Sequence, residues 1–150
     1  MRLFRRSRDI PEGAPGPPRL HIGCGQQSIP GWINIDNQGL PGVDQVLDVR
    51  KGLPFANVAA IYAEQAMGFT SRDTLEHLGL EDGLGFLAEC RRVLREDGIL
   101  RLSTPNLDWV LLTHYRGPQA ADDDAREDAI RINRAFHGWG HQFLYNRAML

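Results

Sequence analysis

Residues Leu20–Asp36 read LHIGCGQQSIPGWINID, and the reading of the whole chain turns on this stretch. A short apolar run (Leu20, Ile22) breaks at Gly23-Cys24-Gly25, and a second run (Trp32, Ile33, Ile35) ends on Asp36. Glycines after a strand let a ligand come close to the backbone, and a carboxylate ending the next strand can accept hydrogen bonds from ribose hydroxyls. Strand, glycine turn, strand and acid together outline a nucleotide-type site. Each part alone is common: paired glycines mark ordinary turns, and an aspartate at a strand end often caps one. The link between the runs is short. Parallel strands ordinarily need a crossover of about a dozen residues, whereas Gln26–Ile29 leaves room for at most one helical turn before Pro30-Gly31. A dinucleotide site would place a full helix here, and a third glycine where Ser28 stands.

Further along, Val43–Val49 alternates loosely and reads as a third strand with Asp48 near its end; Val58–Ala63 reads as a fourth, buried on both faces. Ser71 suggests a cap for a turn of helix through Leu78. The clearest helix is Glu81–Arg95: Leu84, Leu87, Cys90/Arg91 and Leu94 recur at helical spacing, acids open it, arginines close it and Gly98 stops it. Ile99–Ser103 is a fifth strand. Strand, helix, strand at this spacing is a crossover unit and implies a parallel sheet. The carboxyl ends of neighbouring strands in such a sheet form one crevice, so Gly23, Gly25, Asp36 and Asp48 are expected to face it. Helices are expected at Leu107–Tyr115 and Asp122–Phe136, separated by Gly117-Pro118. Trp139, Phe143 and Tyr145 read as packing residues, and Asn146 as the cap of an element cut short at Leu150.

At 150 residues the chain is expected to hold one domain, 19–150, behind a Pro/Arg-rich lead-in, 1–18. A net charge of −2 gives no electrostatic case for nucleic acid. No apolar run approaches the roughly 18 residues of a membrane span, and no signal peptide follows the early arginines, so a cytoplasmic setting is expected. Cys24 and Cys90 stand in no metal-ligand spacing, and a disulfide between a glycine turn and a helix is not expected. His137 and His141 have the spacing of helical metal ligands, but Gly138 and Gly140 argue against a helix there, so no metal is expected.

The segments LHIGCG, GWINID, VLDV, LPF, IYAE, LEHL and FLAECRRVLREDGILRLSTPNLD together resemble the S-adenosylmethionine-dependent methyltransferases of the Rossmann-like class. They are most similar to its small members in which a G-C-G motif runs quickly into G-W-x-N-x-D. The resemblance covers residues 19–116 and reappears in GHQFLY near the end. It implies an α/β fold, a Rossmann-like parallel sheet of about five strands with flanking helices, here lacking the usual C-terminal hairpin. It further implies S-adenosylmethionine as cofactor and methyl transfer to a small or medium acceptor. The backbone of Gly23, Cys24 and Gly25 would pass the methionine part, Asp36 would hold the ribose, and Asp48 with Val49 would contact the adenine. Glu64 and Gln65 would border the methyl group, and His77 is a candidate base or, equally, a helix-end residue. The chain departs from the family in an insertion at about Met67 to Thr74 and in Gln65, which replaces a histidine. A non-catalytic or truncated module and an NAD-dependent oxidoreductase are the alternatives. An exposed fifth strand would favour a homodimer through the sheet edge.

Overall fold

A computed structural model of the chain describes residues 16–63 and 74–150. Its strands are β1 (Arg19–Ile22), β2 (Ile33–Asp36), β3 (Gln45–Val46), β4 (Val58–Ala63) and β5 (Leu94–Leu102). They form one all-parallel sheet in the order β3-β2-β1-β4-β5, with helices α1 (Leu80–Val93), α2 (Leu107–His114) and α3 (Asp122–His137) beside it. This is the α/β, Rossmann-like architecture expected from the sequence.

Alternation along the strands sorts the two faces. The register sets Leu20 beside Ile33 and Ile61, and Ile61 beside Leu100. These residues join Phe86, Cys90 and Val93 of α1 in the core. The neighbouring row is polar: Asn34, His21, Tyr62 and Arg101 stand side by side across four strands. Burial pushes the His21 imidazole below its usual range, and its Nδ1 donates to the Asn34 side-chain oxygen at 3.1 Å.

Asn34 does the work that a crossover helix does elsewhere. The segment between β1 and β2 contains only turns, closed by Gln27 N–H to Cys24 O (2.8 Å) and Trp32 N–H to Ile29 O (3.2 Å). The Asn34 carboxamide oxygen accepts from Ile29 N at 2.7 Å, while its NH2 donates to Trp32 O (3.1 Å), Ile29 O (3.3 Å) and Asp44 Oδ2 (2.9 Å). A buried amide with every valence used fixes a tight loop that has no helix of its own to satisfy it.

Several boundaries differ from the sequence expectation, among them the fifth strand, which runs Leu94–Leu102 rather than Ile99–Ser103. The third strand shrinks from Val43–Val49 to Gln45–Val46. It is an edge strand with only β2 to hold it, Val46 remains 62% exposed, and at Asp48 the chain turns into a 3-10 turn, Val49–Lys51. Helix α1 ends at Val93 rather than Arg95, because Leu94 turns extended and pairs with Val58. Gly98 is therefore no helix stop. The register moves from Val58↔Leu94 to Ala60↔Ile99, so β5 bulges there, and a Cβ on Gly98 would lie 3.0 Å from the Arg95 and Val58 carbonyl oxygens. The segment through Leu78 forms one turn, Leu78 N–H to Leu75 O, instead of a helix; Ser71 lies outside the described residues.

Helices α2 and α3 are joined at their ends by Arg116, whose guanidinium meets Asp124 (3.0 Å), Glu127 (2.9 Å) and Asp128 (3.2 Å). Asn106 caps α2 by accepting from Asp108 N–H. The chain near Asn146 closes a turn, with Met149 N–H bonded to Asn146 O. Among the described residues, no helix is long and apolar enough to cross a membrane.

Candidate functional site

The glycine turn folds back onto the end of β2. Gly23 and Gly25 have φ of 71° and 53°, a left-handed conformation that other residues enter only at a cost. It lets three successive amides point at one place: Gly23 and Cys24 N–H donate to Ile35 O (2.9 and 3.1 Å), and Gly25 N–H donates to Asp36 Oδ2 (2.9 Å). Asp36 Oδ1 accepts from Gln38 N–H at 2.9 Å. Each carboxylate oxygen keeps a lone pair for an outside donor. Cys24 contributes backbone only, since its side chain is buried and burial pushes its thiol up to about 11. Cys90 is likewise buried in the core, and both thiols are free.

A cleft of about 460 Å³ opens at this turn, and its walls bring together Gly23, Asp36, Asp48, Val49 and His77. That size lies within the roughly 300–1,000 Å³ of small-molecule sites. Ile22, Ile35 and Leu47 add apolar wall. Asp48 reaches the cleft already engaged: its Oδ1 accepts from Arg50 N (3.1 Å) and Nε (2.9 Å), and its Oδ2 from Nη2 (2.8 Å). The Arg50 guanidinium holds its carboxyl at about 2. An adenine amine could share only the remaining lone pair on Oδ2, so Asp48 is first the cap of the 3-10 turn. Glu64 and Gln65 lie outside the described residues.

His77 is tied to the opposite wall. Its Nδ1 donates to Gly140 O at 2.9 Å, its carbonyl accepts from the Gln142 side chain at 2.7 Å, and its ring meets His141 edge-on at 5.2 Å. The bond to Gly140 fixes the proton on Nδ1. Next to it, Glu76 O accepts from Gln142 N (2.7 Å) and Phe143 N (3.2 Å). Two short segments, Glu76-His77 and Gly140-His141-Gln142, thus make one partition.

Behind this partition lies a second cavity of about 700 Å³, bounded by the end of β5, α2 and α3. The partition residues alternate between the two spaces: His77, Gly140 and Gln142 face the cleft, whereas Glu76 and His141 face the second cavity. Trp139 lines both. It is 70% exposed, so it is not the packing residue expected from sequence, while Phe143 and Tyr145 do pack, ring centroids 4.8 Å apart. Sequence reasoning missed Trp139 and the partition as parts of one site. The GHQFLY segment, Gly140–Tyr145, carried the signal for the last of these. Among the described residues, no cluster of histidine, cysteine and acid side chains could hold a metal. Compared with models of protein families, with curated proteins and with solved structures, the chain matches none of them.

Proposed function

We propose that the chain binds S-adenosylmethionine in the cleft beside the glycine turn and transfers its methyl group to a small or medium acceptor. The observation that carries this reading is the bond from Gly25 N–H to Asp36 Oδ2, which locks turn and acid into one cleft. The turn's three amides are spent on Ile35 and Asp36, so they form no cradle for a pyrophosphate. No helix follows the turn to supply one either. A ligand with a ribose but no phosphate suits such a site. Asp36 would accept from the ribose hydroxyls, Gly23 would let the ligand pass close, and Val49 with Leu47 would give the base an apolar side. When bound, the cofactor supplies an electrophilic methyl group on a sulfonium. The protein's part is then alignment and exclusion of water more than strong acid or base catalysis.

Titration calorimetry with S-adenosylmethionine and S-adenosylhomocysteine tests the reading, and absence of heat with both, in folded protein, overturns it. Asp36→Ala removes hydrogen bonds to a charged group and should weaken binding by about 1.5–3 kcal/mol. Urea melts of the same variant separate that loss from loosening of the Gly25 anchor. Thermal protection by NAD without protection by S-adenosylhomocysteine would favour an oxidoreductase instead.

A further inference from the structure

We infer that the second cavity binds a flat aromatic ring carrying an anionic group. This inference names the acceptor class and rests on the function proposed above. Two indoles line the cavity, Trp109 of α2 and Trp139 after α3, at 61% and 70% exposure. Large aromatic side chains left open on a concave wall offer a stacking surface whose burial a flat ligand would supply.

The charge of the wall selects an anion. Arg131 is offset by Glu127 at 2.7 Å. Arg134, one turn further along α3, has no acid within ion-pair distance among the described residues. The one acid among the lining residues, Glu76, is itself 0% exposed. A planar guanidinium with no acid partner matches a carboxylate or a phosphate, since it offers parallel N–H donors to paired oxygens.

The test uses 4-hydroxybenzoate and phenyl phosphate as probes, with 4-hydroxybenzyl alcohol as the neutral ring and cyclohexanecarboxylate as the anion without a ring. Binding is read by calorimetry and tryptophan fluorescence on the full chain. At least one aromatic anion should bind about tenfold or more tightly than both controls, and Arg134→Gln should erase the preference over the alcohol. Arg134 is exposed, so circular dichroism of the variant should match that of the parent. Equal binding of acid and alcohol, a preference that survives in Arg134→Gln, or no binding of either aromatic anion would overturn the inference. S-Adenosylhomocysteine is titrated into the same samples. Its binding decides the cofactor reading alone, so either conclusion can fail while the other stands.

Discussion

Asn34→Asp is the sharpest test of how this domain dispenses with its first crossover helix. The substitution keeps shape and volume, and it keeps the oxygen that accepts from Ile29 N and His21 Nδ1. It replaces the NH2 group, whose three partners are all oxygens: Trp32 O, Ile29 O and Asp44 Oδ2. Each donation becomes a contact between acceptors at a site only 5% exposed. Ile29 O keeps the Trp32 N–H and Asp44 Oδ2 keeps the Asn34 backbone N–H, so of the three oxygens Trp32 O alone is left unmet, at a cost of about 1–3 kcal/mol. A new carboxylate 2.9 Å from that of Asp44 adds repulsion of like sign. Set against a total stability of about 5–15 kcal/mol, the loss should be a measurable fraction of the whole. Urea denaturation at pH 7, followed by far-ultraviolet circular dichroism, reads it directly. Acidification should recover part of the loss, because a proton on either carboxyl restores a donor. A loss below about 1 kcal/mol, or one indifferent to pH, would refute the claim that this amide replaces the helix.

Two glycines of α1 should respond oppositely to alanine. Gly85 has open space where a Cβ would go, so Gly85→Ala should add about 0.5–1 kcal/mol. At Gly83 a Cβ would collide with the hydroxyl of buried Tyr145, and the variant should lose about 1–3 kcal/mol. Thermal melts giving both the same sign would contradict this packing. The third prediction concerns acid. Hydrogen bonds from Arg92 and from Leu53 N–H hold the Glu89 carboxyl at about 2, against its ordinary 4.5. Its folded-state value is depressed, so its contribution is complete above 4.5 and fades as pH falls toward 2. Glu89→Gln should therefore flatten the dependence of stability on pH across that window, and an unchanged slope would show the contribution to be absent.

Much of the sheet was legible because burial writes itself into residue type. Val58–Ala63 keeps the bounds read for it, since a strand between β1 and β5 has to be largely apolar, but it is not buried on both faces: Ala60 and Tyr62 are only half-buried. The strand at Gln45–Val46 was overextended because valines at alternating positions look the same at an edge, where one neighbour is missing. The end of α1 misled for a related reason: Leu94 fits both the helical stripe and the sheet, and pairing with Val58 decided for the sheet. In the site, Gly23, Asp36 and Asp48 could be brought together from sequence because parallel strands put their carboxyl ends in one place, whereas Gly25, expected with them, is buried and does not line the cleft. The engagement of Asp48 by Arg50, two residues on, needed side-chain geometry. The partition was out of reach: Gln142 meets His77 across 65 residues, with no periodic pattern between them.

That partition has a thermodynamic consequence. Two chambers that share the Trp139 ring and one hydrogen-bonded wall cannot have wholly separate binding equilibria once a ligand on either side shifts the wall. Whatever factor a first ligand imposes on the affinity of the second, the second imposes on the first. A ligand that leaves the wall where it is imposes none, however tightly it binds. Any cooperativity between the cleft and the cavity would run through the two short segments of this wall, Glu76-His77 and Gly140–Gln142, which the hydrogen bonds from Gln142 hold together.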